Sequence, residues 1–178
     1  MLLLQADSIL CANSELKVED FTKYDFVGAL IRKGMWAHDE GMNGGLSLRN
    51  RTLMLEILNK WSWKEEAAAD PHNANVIYED QGFYKKMKEM NIEAAKTNTL
   101  APENGDTGLE SWNRWEVARI PPPSEAMKFS VESIWYNRPL GYHQTSSWFG
   151  DRLEEVYKWC PEYRLVNNAK IRNKNEPV

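Results

Sequence analysis

The chain has 178 residues, of which 42% are hydrophobic and 27% charged, a balance typical of one globular domain with a sizeable core. The net charge of -4 gives no electrostatic reason to expect nucleic acid or an anionic membrane as a partner. The apolar residues 1–4 are too short for a signal-peptide core, and no run approaches the roughly 20 apolar residues of a membrane span, so the sequence assigns no location.

The first predicted elements are two short apolar runs at the start of the chain. Residues 2–6 and 24–29 are predicted as neighbouring strands of one sheet, with a polar turn between them. Residues 31–43 contain two glycines and several polar residues, and we predict an irregular loop there. The loop is expected to end in a turn at Gly44 and Gly45.

The helices are indicated by apolar residues at helical spacing. Residues 51–60 and 80–95 show this pattern and are predicted helices, and residues 152–159 are predicted as a terminal helix. Residues 130–136 are predicted as a strand or a short helix. Strands separated by helices favour an α/β fold, with a mixed sheet flanked by helices.

Domain boundaries and cysteine usage complete this outline. Residues 1–166 are predicted to form a single domain, and residues 167–178 a frayed polar tail. Cys11 and Cys160 can pair only if the fold brings the two ends of the domain together, and two cysteines alone do not identify the redox compartment.

The most informative pattern is a Gly-Gly pair followed about thirty residues later by an acidic pair. Gly44 and Gly45 have no Cβ, so the backbone can approach a ligand closely there. Glu79 and Asp80 begin a predicted helix and can supply a base or hold a hydroxyl group. Together they suggest a sugar site, and the eight Trp and seven Tyr residues can stack on sugar rings, although packing is the commoner use of aromatic side chains.

Several segments occur in the same order in a fungal family of uncharacterised proteins, which resembles glycosyltransferases of the A fold. They are residues 7–11, 24–29, 41–49, 78–80 and 140–143, and the resemblance covers roughly residues 1–149. It implies an α/β fold similar to the C-terminal part of the A fold, a nucleotide-sugar donor and a carbohydrate acceptor. It also implies Mn²⁺ or Mg²⁺, since charge builds on the departing diphosphate.

The resemblance assigns catalysis to the acidic pair, Glu79 and Asp80. Asp80 corresponds to the base that removes the proton of the acceptor hydroxyl group. A structural alternative is that both carboxylates cap the free N–H groups at the start of a helix.

The resemblance places a metal ion at Asp7 and His143. Such transferases hold the ion with Asp-x-Asp, but Gln5 replaces the first carboxylate here. Alternatively, Asp7 caps a strand end in solvent and His143 is a hydrogen-bonded structural residue.

Substrate binding is assigned by the resemblance to Gly44 and Gly45, together with Asn43 and Ser47 of the same segment. We expect Asp7, Asp80 and His143 to converge on one cleft, with the two glycines in its wall. The alternative for the glycines is a tight turn that leads into the helix.

One departure from the family pattern limits the expected activity. The A fold places its nucleotide-binding half before the Asp-x-Asp strand, whereas only six residues precede Asp7 here. The sequence is therefore expected to carry the acceptor and catalytic half without the nucleotide-binding half, and this chain alone is expected to bind UDP-sugars or GDP-sugars weakly or not at all. Two other functions therefore stay open, a carbohydrate-binding module without turnover and a metal-assisted hydrolase built on His143. No H-E-x-x-H or C-x-x-C spacing favours the hydrolase.

Overall fold

The computed structural model describes residues 1–33, 41–69, 78–97 and 117–166 of the chain. Its strands are β1 Leu2–Leu4, β2 Ser8–Leu10, β3 Phe26–Leu30, β4 Met42–Arg49, β5 Ser130–Val131 and β6 Gly141–His143. Its α-helices are α1 Arg51–Lys60, α2 Trp63–Ala69, α3 Glu79–Thr97, α4 Pro123–Phe129 and α5 Leu153–Trp159. The predicted α/β class is confirmed, with two small sheets flanked by helices.

The first sheet has the order β1-β4-β3, and both pairings are antiparallel. The predicted strands at residues 2–6 and 24–29 therefore belong to one sheet, but they are not neighbours because β4 lies between them. Six consecutive residues of β4, from Gly44 to Arg49, are buried, which suits a central strand covered on both faces.

The second sheet has the order β2-β6-β5 and is mixed. β2 pairs with β6 in the antiparallel sense, and β5 pairs with β6 in the parallel sense. The pairing places Ser8 directly opposite His143, although the two residues are 135 positions apart. Of the predicted element at residues 130–136, only Ser130–Val131 forms a strand.

An irregularity in the pairing of β3 with β4 corrects the prediction of a Gly-Gly turn. Val27 pairs with Leu48, and Ala29 pairs with Asn43. Between these two pairs β3 has only residue 28, whereas β4 has residues 44–47. Gly44 and Gly45 lie in this excess and form a bulge inside the strand, not a turn between two elements. The predicted loop at residues 31–43 is wrong at its end, because β4 already begins at Met42.

The three predicted helices follow the sequence closely, whereas α2 and α4 were not predicted. α1 begins and ends as predicted, and the Asn50 side chain caps it by accepting the N–H groups of Thr52 and Leu53. α3 contains the predicted residues 80–95, and α5 begins one residue after the predicted start, at Leu153. None of the described helices is long and apolar enough to cross a membrane.

A disulfide between Cys11 and Cys160 joins the end of β2 to the end of α5, with 4.9 Å between the Cα atoms. It settles the pairing that the sequence left open. The bond lies in the smaller of two hydrophobic clusters, around Val131, Tyr142 and Tyr163, whereas the larger cluster lies under the first sheet. The predicted polar tail at residues 167–178 lies outside the described residues.

Candidate functional site

The two sheets meet where His143 of β6 lies against Gly45 in the bulge of β4. A Cβ on Gly45 would overlap the Cε1, Nε2 and Nδ1 atoms of the imidazole, so a glycine is required for this contact. The Ser8 hydroxyl donates to the Gly45 carbonyl at 2.7 Å and contacts His143 Nδ1 at 2.9 Å. Since its single hydrogen goes to the carbonyl, Ser8 accepts from Nδ1, and a neutral His143 carries its lone pair on Nε2.

Asp7 lies on the same side of the imidazole. Its Oδ1 atom is 3.4 Å from His143 Nδ1, and its side chain is 23% exposed, compared with 3% for His143. The short connection between β1 and β2 places this carboxylate, because the Gln5 N–H donates to the Gly45 carbonyl at 2.7 Å. A partly exposed carboxylate therefore lies next to a buried imidazole.

Asp80 contacts the other glycine of the bulge. The Gly44 N–H donates to Asp80 Oδ2 at 2.7 Å, and the N–H of Gln81 donates to Oδ1 at 2.7 Å. Each carboxylate oxygen accepts one hydrogen bond and keeps further acceptor capacity. Asp80 is half-buried in the first turn of α3, where the helix dipole favours a negative charge.

Glu79 is held by Arg49, the last residue of β4. The guanidinium donates to both carboxylate oxygens, at 2.7 and 2.8 Å, and its Nε–H donates to Ser47 Oγ at 3.0 Å. Arg49 is 4% exposed and lies over the rings of Phe26 and Phe83, with 5.0 and 5.8 Å to the centroids. This buried cation ties the start of α3 to the end of β4.

Asn43 and Ser47 shape the bulge from within. The side-chain oxygen Oδ1 of Asn43 accepts the Gly45 N–H at 2.7 Å, and the side-chain NH₂ group of Asn43 donates to Glu132 Oε1 at 3.3 Å. The Ser47 hydroxyl donates to the Gly44 carbonyl at 2.8 Å. Both side chains bind the peptide groups of the two glycines and hold the irregular strand in one conformation.

All eight residues singled out in the sequence thus lie in one connected set of contacts around the bulge. They are Asp7, Asn43, Gly44, Gly45, Ser47, Glu79, Asp80 and His143. Sequence reasoning missed three further members, Ser8, Arg49 and Glu132. Arg49 carried a signal, because it is a charged residue at the end of an apolar run, whereas Ser8 and Glu132 carried none.

The metal ion that the resemblance implies would need ligand atoms arranged around one point. Within the described residues, no group of three or more His, Cys, Asp or Glu side chains is arranged to hold a metal ion. Asp7 and His143 form a pair of oxygen and nitrogen donors in mutual contact. Because Nδ1 presents its hydrogen to Ser8 and Asp7, the lone pair on Nε2 points away from Asp7, and the two side chains do not chelate one cation in this arrangement.

One comparison with known proteins identifies a family, and none identifies a function. No curated protein matches the chain, and no solved structure matches it. The model of a family described as "Protein of unknown function (DUF5672)" matches residues 1–143, which include all the residues of the site named above. The chain therefore belongs to the DUF5672 family.

Proposed function

We propose that the protein transfers a sugar from a nucleotide-sugar donor to a carbohydrate acceptor at the glycine bulge of β4. One observation carries this proposal. The Gly44 N–H donates to Asp80, and the adjacent Gly45 lies against His143, which contacts Asp7. The two glycines that contact a group suited to the attacking hydroxyl and a group suited to the departing diphosphate thus have Cα atoms about 3.8 Å apart.

The reaction breaks the bond between the anomeric carbon and the diphosphate, and the electron pair leaves with the diphosphate. A new bond forms between the anomeric carbon and the acceptor oxygen, whose proton passes to a base. Negative charge therefore develops on phosphate oxygens while a hydroxyl group loses a proton.

Asp7 is the residue that would hold Mn²⁺ or Mg²⁺ beside the diphosphate, through its partly exposed carboxylate, and His143 would position that carboxylate. The ion would supply neutralisation of the charge that develops on the leaving group. The contact with Ser8 fixes the imidazole, whose Nδ1–H lies on the side of Asp7 and orients the Asp7 carboxylate.

Asp80 is the residue that we assign as the base. Its carboxylate is held by the Gly44 N–H and keeps acceptor capacity for a hydroxyl group. Glu79 supports it, because its ion pair with Arg49 fixes the first turn of α3. Asn43 and Ser47 contribute through the bulge that they hold, because the bulge places Gly44 against Asp80 and Gly45 against His143.

Calorimetric titration of the full chain tests the donor side of this proposal. The proposed function requires UDP-sugars or GDP-sugars to bind in the presence of Mn²⁺ and to bind more weakly without it, in contrast to the weak or absent binding expected from the sequence. Asp7→Asn and His143→Ala should weaken donor binding in Mn²⁺ by about tenfold or more, the cost of losing a charged contact.

Asp151→Asn is the matched control, because Asp151 is exposed and lies in a 3-10 helix outside the site. It should bind the donor as the unchanged protein does. The same affinity with and without Mn²⁺, or the same affinity in all variants, would contradict the assigned metal site. Absence of binding for every donor would contradict the proposed function.

A further inference from the structure

A cavity of about 510 Å³ lies outside the contacts described above. Four consecutive residues line it, Trp135, Tyr136, Asn137 and Arg138. They belong to the segment that connects β5 to β6. None of the steps proposed for sugar transfer uses them.

The cavity segment is anchored on both sides by residues of the glycine-bulge site. Glu132, which accepts from Asn43, precedes it, and His143 follows it. His143, which lies against Gly45 of the bulge, is the fifth residue after Arg138, so their Cα atoms are at most about 18 Å apart. The cavity is therefore within the length of a short oligosaccharide from the bulge.

The wall of the cavity is held in place before any ligand binds. The Trp135 Nε1–H donates to Asn137 Oδ1 at 2.7 Å, which leaves the amide NH₂ group of Asn137 as a donor. The Arg152 guanidinium lies 3.7 Å from the centroid of the Trp135 ring, and Phe149 meets that ring edge-on. A fixed wall lowers the entropy cost of binding a flexible ligand.

Arg138 brings a positive charge to the rim. It is exposed, its guanidinium lies 5.4 Å from the centroid of the Trp159 ring, and no carboxylate of the described residues pairs with it. By contrast, Arg152 is neutralised by two hydrogen bonds to Glu155. Arg138 is thus the guanidinium that can donate to hydroxyl or carboxylate oxygens of a ligand.

Aromatic rings next to amide and guanidinium donors match the surface of a sugar, which is apolar on its C–H faces and polar at its hydroxyl groups. We propose that the cavity is a saccharide subsite that binds the acceptor chain beyond the sugar that reacts. The assignment to the acceptor rests on the proposed function, whereas saccharide binding itself does not.

The test is a titration of the full chain, without nucleotide sugar, with tetrasaccharides of glucose, mannose and N-acetylglucosamine and with a tetrasaccharide that contains glucuronate. At least one should bind. Arg138→Ala should raise its dissociation constant by about tenfold, the usual effect of one lost hydrogen bond to a charged group, and Tyr136→Ala should raise it because an aromatic ring is lost from the wall of the cavity. A larger loss for the glucuronate compound would show that Arg138 binds a carboxylate, and equal losses that it binds hydroxyl groups.

Arg51→Ala is the control, because Arg51 is an exposed arginine of α1 outside the cavity. It should bind as the unchanged protein does. The inference is overturned if no tetrasaccharide binds at millimolar concentration, or if Arg138→Ala and the control bind equally well.

The two proposals fail in different ways. If saccharide binding depends on Arg138 but the chain binds no nucleotide sugar, the saccharide subsite is supported and the proposed transferase function is contradicted. If Arg138→Ala and Tyr136→Ala transfer sugar with an unchanged KM for the acceptor, the transferase function is supported and the subsite is contradicted.

Discussion

The imidazole of His143 occupies the space that a side chain on Gly45 would need. His143 cannot easily move aside, because it is 3% exposed and contacts both Ser8 and Asp7. The absence of a Cβ at residue 45 is therefore a condition for the contact between the two sheets.

Replacement of Gly45 by alanine should destabilise the protein and displace the imidazole. We expect the free energy of unfolding to fall by about 1–3 kcal/mol, the usual cost of an added methyl group in a packed region. Chemical denaturation followed by circular dichroism measures it. Gly150→Ala is the control, because a Cβ there would meet no atom within 4 Å. Equal losses in both variants would show that the packing of His143 on Gly45 is not the cause.

Glu79→Gln should weaken the link between α3 and β4. The substitution leaves the buried guanidinium of Arg49 without its carboxylate. Because the Glu79 side chain is 53% exposed, water compensates part of the loss, and we expect a cost of about 1–2 kcal/mol.

Glu154→Gln in α5 is the comparison, since Glu154 is exposed, and it should change stability by no more than about 0.5 kcal/mol. A Glu79→Gln protein as stable as this control would show that the ion pair does not hold α3.

The pH dependence of stability should contain a contribution from Asp25. Burial raises the pKa of this carboxyl group, but hydrogen bonds from Arg119 and Asn50 outweigh burial and hold the pKa below its ordinary value of 3.8. A carboxyl group whose pKa is lower in the folded protein stabilises the folded state. This stabilisation is fully present when the pH is above the pKa of the group in the unfolded chain, and it is lost as the pH falls through the pKa in the folded protein. Stability should therefore decrease below about pH 5 as the pH approaches and passes 3.8.

Asp25→Asn tests this origin, because an amide does not titrate. Its free energy of unfolding should be lower at neutral pH and should change less between pH 5 and pH 2 than that of the unchanged protein. Parallel curves for the two proteins over this range would contradict the assignment.

Removal of the disulfide should destabilise the second sheet. The bond closes a loop with a sequence separation of 149 residues, for which the chain-entropy model gives about 5 kcal/mol. The double variant Cys11→Ser, Cys160→Ser should therefore unfold at lower denaturant concentration, by the same amount as the unchanged protein after reduction. Ala12→Ser is the control, because Ala12 is exposed next to Cys11 and the substitution keeps the disulfide. An unchanged midpoint after reduction would contradict the assigned role of the disulfide.

Local signals predicted the helices better than the sheets. α1 was predicted to the residue, because apolar spacing and the cap at Asn50 both act within one turn. β4 was missed at its beginning because two adjacent glycines are typical of a turn, and only the pairing with β3 makes them a bulge. The order of strands also depends on contacts between distant residues, which a single sequence does not reveal.

The residues of the candidate site were named from the order of their motifs, not from local chemistry. Their partners were harder to predict, since Ser8 and His143 are far apart in the chain and meet only because β2 pairs with β6. In parallel α/β sheets, active sites lie at the carboxyl ends of the strands. That rule does not explain the position of Asp7, which lies between β1 and β2, because both strands pair in the antiparallel sense. The bulge brings these residues together.

The most direct test of the account is sugar transfer by the full chain and by its Asp80→Asn variant. Each protein is incubated with Mn²⁺, a panel of UDP-sugars and GDP-sugars, and the saccharides that bind it, and the release of nucleoside diphosphate and the formation of glycoside are measured. We predict transfer by the unchanged protein and a loss of about 100-fold or more in Asp80→Asn, the usual contribution of a general base, with donor affinity retained. Transfer at the same rate in both proteins, or no transfer by the unchanged protein with any donor, would contradict the central claim.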